Sequence, residues 1–444
     1  MGSADKRPLR IAVIGVGLAG AAVGAFAKSL PDIDIRLYER SLVHRHVGAW
    51  IGVTPAGQLL LEEICGENVV DSICSRTYSD PTVRDWQSGR VLLSGGPLPE
   101  NASPEERRSR RGQAGTTRQD LLQVIINQLP KDCVFLGKKG TSFAVNDDSA
   151  TVHFHDGSHV EVDLVVVADG IKSKLRQQLY PENVVKYLPQ VEYMEVFERE
   201  HLSRTIPDLP EGTHCFFQEE KMVFIGDIGR GRFGFIAVMP DDPEQVAQLG
   251  WADSMNSSRL SKLREQLEGC TPLINKILDQ SRNMGIFPIA RGGWLTSLIA
   301  NDRICFVGDA AHPTGGAFGA GCSFAFEDAK TLTLALNHSY RVNGCWSNET
   351  IRRALELYNA TRGPHILKVF QLLEASQEPG SQTERGKLAT AQQMKWLTTI
   401  DTELEFQKAL ASEGKDPGAL SRPVLETFLP AQEVLKMVAP RGSL

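Results

Sequence analysis

A glycine-rich turn near the N-terminus constrains the fold more than any other feature of this sequence. Gly15-Val16-Gly17-Leu18-Ala19-Gly20 follows a short apolar run, Leu9 to Ile14, and opens an alanine-rich stretch that reaches about Leu30. A second run, Ile33 to Glu39, alternates apolar and polar residues as a half-buried strand does. The order strand, glycine turn, helix, strand predicts a β-α-β unit.

This β-α-β unit has the spacing of a dinucleotide site. Gly15, Gly17 and Gly20 allow a tight turn and a close approach of the backbone to a pyrophosphate, which faces the positive end of the helix. Glu39 lies 19 residues beyond Gly20, where an acidic side chain accepts hydrogen bonds from ribose hydroxyls. The pattern does not distinguish NAD from FAD, and the alternative is a generic glycine-rich turn.

The rest of the chain alternates between two kinds of pattern. At 444 residues it has the length of two to three domains, by a rule of about 150 residues each. Sequence typical of α/β domains stands at both ends, and strand-like sequence fills 185–250, so the middle is expected to be a separate sheet inserted into the first domain. The predicted boundaries are 1–184 and 291–376 for the nucleotide domain, 185–290 for the inserted sheet and 377–444 for a helical C-terminal region.

Charge and cysteine content exclude several classes of function. The net charge is −6, so no nucleic-acid-binding surface is expected. Apolar runs stay short of the ~18 residues that cross a membrane. The eight cysteines show no C-x-x-C pair and no metal-site spacing. They indicate reduced thiols, and with a strand pattern close to the N-terminus in place of a signal peptide they predict a cytoplasmic protein without a metal.

Three further motifs decide the cofactor. They are Val165-Val166-Val167-Ala168-Asp169-Gly170, Thr116-Thr117-Arg118-Gln119-Asp120-Leu121, and Cys305-Phe306-Val307-Gly308-Asp309-Ala310-Ala311-His312-Pro313 with Gly319-Ala320-Gly321 and Glu327-Asp328-Ala329. In their order along the chain they resemble the single-component (group A) flavin-dependent aromatic monooxygenases. The salicylate hydroxylase-like branch, which includes fungal hydroxylases of secondary metabolism, is the most similar, over about residues 9–375.

The resemblance implies a set of FAD contacts. Asp309 matches the carboxylate that holds the ribityl chain, Arg118 the arginine near the ribityl-phosphate region, and Asp169 the carboxylate between the flavin and nicotinamide sites. Alternative interpretations are a helix cap for Asp309, a solvent-facing residue for Arg118 and a turn carboxylate for Asp169. The full implied cofactor set is Gly15, Gly17, Gly20, Glu39, Arg40, Gly52, Arg118, Asp169, Asp309, Gly321 and Cys322.

The implied fold is a Rossmann-like FAD domain of the α/β class, with an inserted mixed β-sheet substrate domain and a helical C-terminal region. The implied reaction uses NAD(P)H and O₂ to hydroxylate or epoxidise an electron-rich aromatic or natural-product substrate through a flavin C4a-hydroperoxide. NAD(P)H would bind transiently, because no second glycine motif is present. No side-chain acid or base is required, and His312 is interpreted as a structural turn residue. A monomer or a homodimer is compatible with this reading.

Two other functions use related folds. A flavin-dependent halogenase would need a Trp-x-Trp-x-Ile-Pro motif, which this sequence does not contain. A binding protein of the Rab GDP-dissociation inhibitor type would not need the complete set of flavin contacts.

The sequence departs from the family pattern around the substrate. Gly316 stands where a proline is common, and Trp50 stands where the loop Gly48-Ala49-Trp50-Ile51-Gly52 usually has glycine. No arginine occurs at Tyr193-Met194-Glu195, where relatives often pair a substrate anion. These departures predict a bulky, weakly anionic substrate, with Trp50 either stacking on it or filling space. The predicted pocket residues are Trp50, Gly316, Phe318 and Asp227. His44 and His46 precede this loop, either as surface imidazoles or as the histidine that tethers flavin in a few relatives.

Overall fold

The computed structural model describes residues 7–42, 49–78, 81–95, 98–99, 101–250, 253–375 and 395–413. The strands of these residues are β1 (Leu9–Ile14), β2 (Ile33–Glu39), β3 (Trp50–Val53), β4 (Thr82–Arg84), β5 (Val91–Leu93), β6 (Ala114–Thr117), β7 (Val134–Leu136), β8 (Gly140–Val145), β9 (Ala150–Phe154), β10 (His159–Val162), β11 (Leu164–Val167), β12 (Lys186–Glu198), β13 (Thr213–Gln218), β14 (Lys221–Ile228), β15 (Arg232–Pro240), β16 (Asp253–Ser254), β17 (Gly285–Arg291), β18 (Ile299–Ala300) and β19 (Ile304–Phe306). The helices are α1 (Leu18–Ala27), α2 (Pro55–Cys65), α3 (Val69–Ile73), α4 (Pro104–Ser109), α5 (Arg118–Ile126), α6 (Lys174–Leu179), α7 (Arg199–Thr205), α8 (Pro243–Gln248), α9 (Ser257–Gln266), α10 (Pro272–Leu278), α11 (Gly321–Asn343), α12 (Asn348–Ala375), α13 (Lys395–Thr398) and α14 (Thr402–Glu413).

The nucleotide-binding part is built on a six-stranded sheet in the order β18-β19-β11-β1-β2-β7. Its pairs are parallel except at the edge, where β18 runs antiparallel to β19. The chain leaves β1 towards β2 and returns on the opposite side of β1 as β11. A strand order that reverses in this way opens a crevice at the carboxyl ends of the two central strands. The site is therefore expected at the ends of β1 and β11.

The second large sheet has eight strands, in the order β16-β17-β12-β15-β14-β13-β4-β5. Side chains alternate between its two faces. One face packs against α7–α10 and buries Tyr193, Phe235 and Leu263. The other face carries Met194 and Phe287, which form a cluster with Trp50 from β3. The inserted sheet therefore presents this second face to the nucleotide-binding part.

The sheet also recruits strands from outside the predicted insertion. β4 pairs in parallel with β13, with Thr82 opposite His214, and β5 pairs with β4. Residues 82–93 therefore belong to the inserted eight-stranded sheet and not to the nucleotide domain, to which the sequence assigned all of 1–184. The mixed α/β fold itself is confirmed.

The remaining sequence expectations concern the C-terminal region, the cysteines and the membrane. Of the predicted helical region 377–444, only 395–413 is described, and α13 and α14 lie there. All eight cysteines lie among the described residues and are free thiols. No helix in the described residues is long and apolar enough to cross a membrane.

Candidate functional site

The glycine turn closes onto the end of β11. Gly15 has a φ of +106°, and a Cβ atom at this position would lie 2.4 Å from the carbonyl oxygen of Ala168. A Cβ atom at Gly20 would lie 1.9 Å from the carbonyl oxygen of Gly15. Only glycine fits either position. At Gly15 both the positive φ and the close contact exclude a side chain, and at Gly20 the close contact excludes one. The turn thus brings bare backbone to the crevice, as a dinucleotide phosphate requires.

Glu39 meets this turn directly. Its carboxylate accepts hydrogen bonds from the backbone N–H groups of Val16 and Ser41, both at 2.9 Å. An ionised carboxylate has about four acceptor sites, so two remain for ribose hydroxyls. Arg40 is exposed beside it, and its predicted cofactor contact stays a prediction.

Arg118 lies at the first position of α5, where the Thr117 hydroxyl caps the helix. Its guanidinium would be 3.5 Å from a Cβ atom at Gly17, and no described residue accepts a hydrogen bond from it. Burial lowers the pKa of Arg118, and the nearby carboxylates of Asp309 and Glu39 oppose that shift. A cation is disfavoured at a helix N-terminus, so an unpaired arginine here fits an anionic ligand such as a pyrophosphate.

Asp309 follows β19 in a short 3-10 turn, Gly308–Ala310. The Asp309 side chain is exposed to the crevice. The protein that surrounds the crevice nevertheless desolvates the carboxyl group and raises its pKa. His312, Arg118 and Arg176 lie close enough to oppose that shift. No described residue donates a hydrogen bond to the carboxylate. A ligand with hydroxyl groups that filled the crevice would supply these missing donors.

Asp169 stands at the end of β11, next to Gly170 with its φ of +82°. Burial raises the pKa of this carboxyl to about 6, and Oδ1 is buried with no hydrogen-bond partner among the described residues. An unpaired buried acceptor is costly and marks a place where a ligand or water completes the site.

Arg176 connects the two carboxylate loops, a role that the sequence analysis did not assign. It is fully buried and donates to the carbonyl oxygens of Ile171 at 2.7 Å, and of Asp309 and Ala310 at 3.2 Å. The signal was its place in the helix that follows the Asp169-Gly170 turn. Its capped N-terminus at Ser173 positions it there.

The start of α11 completes the crevice. A Cβ atom at Gly52 would lie 2.1 Å from Nε2 of Gln113, and Gln113 donates to the carbonyl oxygen of Gly319 at 2.7 Å. Cys322 Sγ donates to the carbonyl oxygen of Gly52 at 3.1 Å, and burial raises the pKa of this thiol to about 11. A Cβ atom at Gly321 would meet open space. The first turn of the helix therefore faces the crevice, where its free N–H groups favour a negative ligand.

A buried cluster of charges supports the Gly308-Asp309 loop from below. Asp328 accepts hydrogen bonds from the Gly308 backbone N–H at 2.8 Å, His312 Nε2 at 2.6 Å and Arg362 Nε at 2.8 Å. Arg362 also donates to Glu327 at 2.9 Å. Although burial raises the pKa of Asp328, His312 and Arg362 outweigh it and hold the pKa at about 2. His312 is thus a hydrogen-bonded structural residue, in agreement with its interpretation from the sequence.

Burial acts in the opposite direction on Glu327, the other acid of this cluster. It raises the pKa of Glu327 to about 8, against the attraction of Arg362. Burial thus disfavours the charged form of Glu327, whereas Asp328 stays ionised beside Arg362. The sequence analysis missed this cluster.

Of the predicted substrate residues, Trp50 lies in β3, Gly316 and Phe318 in the turn after Pro313, and Asp227 in β14. Trp50 is 8% exposed. Its ring covers Gly234, where a Cβ atom would lie 2.4 Å from it, and its backbone N–H points at Met194 Sδ at 2.8 Å. Trp50 therefore seals the junction between the two sheets, and a stacking role towards substrate stays a prediction.

The turn after Pro313 has an unusual backbone. Gly315, Gly316 and Phe318 all have positive φ, at 68°, 75° and 68°. This conformation costs a non-glycine residue about 1–3 kcal/mol, so packing must hold Phe318 in place. Its ring packs in the cluster that contains Phe370 and Leu397. A Cβ atom at Gly316 would meet open space, and the pocket beside this turn stays a prediction.

The prediction that Asp227 lines the substrate pocket is wrong. Its carboxylate pairs with Arg199 and accepts the backbone N–H of Gly212 at 2.8 Å. Along β14 it shares a face with Ile225, on the side covered by helices, whereas Phe224 and Ile228 lie on the other face and pack in the cluster that contains Trp50. Asp227 is therefore a structural residue on the far face of the sheet. Gly48, His44 and His46 lie outside the described residues.

Comparison with known proteins identifies the family of this chain. Residues 134–371, more than half of the chain, match the family of FAD binding domains. The 6-hydroxynicotinate 3-monooxygenase of Bordetella bronchiseptica is 29% identical over 332 residues, which are 73% of this chain and 82% of that protein.

Solved structures with this fold include a salicylate hydroxylase substrate complex. It has a TM-score of 0.74 and 21% identity, and the match covers 90% of this chain and 98% of that one. Klebsiella pneumoniae HpxO, complexed with FAD and uric acid, has a TM-score of 0.69 and 22% identity, over 94% and 97% of the two chains.

Proposed function

Because this chain belongs to the family of FAD-dependent monooxygenases, we propose that it uses NAD(P)H and O₂ to hydroxylate or epoxidise a bulky, electron-rich aromatic substrate. One observation carries the proposal. Glu39, Arg118 and Asp309 come from three distant segments and converge on the glycine turn, with acceptors and a cation still free for a ligand.

These residues fit FAD along its length. The turn and the free guanidinium of Arg118 would hold the pyrophosphate, Glu39 the ribose and Asp309 the ribityl hydroxyls. Gly321 and Cys322 would place the start of α11 near the electron-accepting ring, where N–H groups stabilise negative charge. Bound FAD would accept electrons from NAD(P)H and activate O₂. The chain itself binds the cofactor, orients the substrate against it and excludes water through the contact between the two sheets.

Oxygen incorporation tests the reaction. The FAD-loaded protein, screened against a panel of phenolic and indolic natural products, is expected to oxidise NAD(P)H slowly alone and faster with a true substrate. With ¹⁸O₂, mass spectrometry of the product is expected to show one labelled oxygen. Label that comes from H₂¹⁸O instead would rule out a monooxygenase. A protein that stays colourless with added FAD would favour a binding function.

Trp50→Phe tests whether the tryptophan contacts substrate. An aromatic wall contributes about 0.5–1.5 kcal/mol of stacking beyond the area that it buries. The smaller ring is expected to weaken substrate binding about two- to tenfold while the FAD content of the purified protein is unchanged. Trp346→Phe is the matched control. Trp346 lies just after the end of α11, apart from the crevice, and its indole N–H donates to the carbonyl oxygen of Pro31. Loss of flavin with unchanged substrate affinity would show that Trp50 packs on the cofactor.

The substrate is expected to differ from those that the relatives' names state. Hydroxynicotinate, salicylate and urate are acids, whereas the crevice face of β12 in this chain offers Glu192, Met194 and Val196 and no cation. We therefore assign a less anionic ring system to this enzyme.

A further inference from the structure

Glu192 stands on the wall of the substrate side of the crevice. β12 alternates between its faces, so Glu192 lies in line with Met194 and Val196, and Tyr193 points the other way into the buried core. Across the sheet, Glu192 is opposite Val238 of β15 and Phe287 of β17. A carboxyl group thus interrupts a face that is otherwise apolar.

The neighbours of Glu192 place it between two predicted pocket elements. On one side, Phe287 and Met194 belong to the cluster that Trp50 seals. On the other side, β17 continues to Arg291, and a Cβ atom at Gly315 would lie 2.8 Å from Arg291 Cγ. Glu192 therefore lies on the wall between Trp50 and the Gly315-Gly316 turn, where a substrate bound beside the flavin would contact the sheet.

No described residue is a partner for this carboxyl. It makes no hydrogen bond or ion pair with them, and its neighbours on the same face of β12, β15 and β17 are uncharged: Met194, Val238 and Phe287. Burial alone raises its pKa to about 7. The residue is nonetheless half-buried and not closed off, so a molecule in the crevice can reach it. A carboxyl group left without partners on an apolar wall is costly unless a ligand satisfies it.

We propose that Glu192 is a specificity residue that binds a cationic or N–H-bearing nitrogen group of the aromatic substrate. A carboxylate forms short, charge-assisted hydrogen bonds with such donors, and an apolar surround strengthens them. The same group repels a substrate carboxylate. An arginine on this wall would have the opposite preference and would favour an anionic substrate. The inference rests on the proposed function, because it takes the crevice to be the substrate site.

Arg291 is the competing charge on this face. Its Nε is buried without a partner among the described residues, and burial lowers its pKa. It lies four residues beyond Phe287, roughly 13 Å along the strand, and it does not contribute to the pKa shift of Glu192. A substrate cation beside Glu192 is therefore bound apart from Arg291, and the test must show which of the two charges selects the ligand.

Three ligands of nearly equal size separate the possibilities: benzamidine as the cation, benzamide as the neutral analogue and benzoate as the anion. Their affinities for the FAD-loaded protein are read from the change in flavin absorbance, without NAD(P)H. We expect benzamidine to bind at least tenfold more tightly than benzoate. Glu192→Gln is expected to weaken benzamidine binding at least tenfold and to leave FAD content unchanged.

Glu198→Gln is the matched control, since Glu198 is an exposed carboxylate at the end of the same strand, and it is expected to keep the wild-type preference. Equal binding of the three ligands, no binding of any, a preference for benzoate, or a benzamidine preference that survives in Glu192→Gln would each overturn the proposal. A cation preference in a protein that incorporates no oxygen from ¹⁸O₂ would instead retain the role of Glu192 and refute the proposed reaction.

Discussion

Arg362→Met is expected to lower the free energy of unfolding by about 3–5 kcal/mol, the usual cost of removing one partner from a buried ion pair. Arg362 is 2% exposed and donates to both Asp328 and Glu327. Glu327 can remain protonated without it, but Asp328 would keep a buried charge with His312 as its main partner. Methionine retains most of the volume, so the loss reports charge and not a cavity. Urea unfolding of the FAD-loaded protein measures the effect.

Arg352→Met provides the control on the same helix. Arg352 pairs with Glu349 and Glu356 at the surface, and such pairs contribute about 0–1 kcal/mol. If the two variants unfold at the same urea concentration, the buried cluster does not stabilise the protein in the way that its geometry indicates.

Asp309→Ala is expected to weaken FAD binding by about 1–3 kcal/mol, or about 5- to 150-fold in the dissociation constant, because it would remove the proposed acceptor for the ribityl hydroxyls. The carboxylate has no hydrogen-bond donor among the described residues, and burial disfavours its charge. The apoprotein should therefore lose no stability with this substitution. Fluorescence titration of apoprotein with FAD, together with urea unfolding of the apoprotein, measures both quantities.

The exposed residue Asp208 supplies the control variant, Asp208→Ala, which is expected to change neither measurement. Wild-type FAD affinity in Asp309→Ala would remove Asp309 from the cofactor site. A large loss of apoprotein stability would show that the residue acts as a structural cap instead.

The cofactor crevice could be predicted from sequence because its parts are local. The glycine turn, Glu39 and Asp309 each follow a strand directly, and the carboxyl ends of parallel strands meet at one edge of a sheet. Arg118 is likewise fixed by its place at a helix start. Motif and secondary structure together were sufficient for these positions, although none of them indicated that Arg176 would connect the two carboxylate loops.

The substrate side could not be predicted in the same way, because the direction of a side chain there depends on strand register. A shift of one residue moves every side chain to the other face. The sequence alone therefore does not determine that Asp227 faces away from the pocket or that Glu192 faces towards it. β4 and β5 are three residues each, and β4 pairs with β13, a strand about 130 positions later, a contact that no local pattern indicates. Arg362 is one of several charged residues on a long helix, and its local sequence does not indicate that its partners, Asp328 and Glu327, are buried.

The strand order β18-β19-β11-β1-β2-β7 has a consequence for synthesis on the ribosome. The first β-α-β unit emerges early, but β19 and Asp309 follow some 270 residues after Glu39. At about 5–20 residues per second, that interval is on the order of tens of seconds. During this time one edge of β1, and then of β11, has no neighbouring strand, and no FAD site exists to stabilise the chain. We therefore expect the nascent protein to need protection from aggregation until β19 and the start of α11 have left the ribosome.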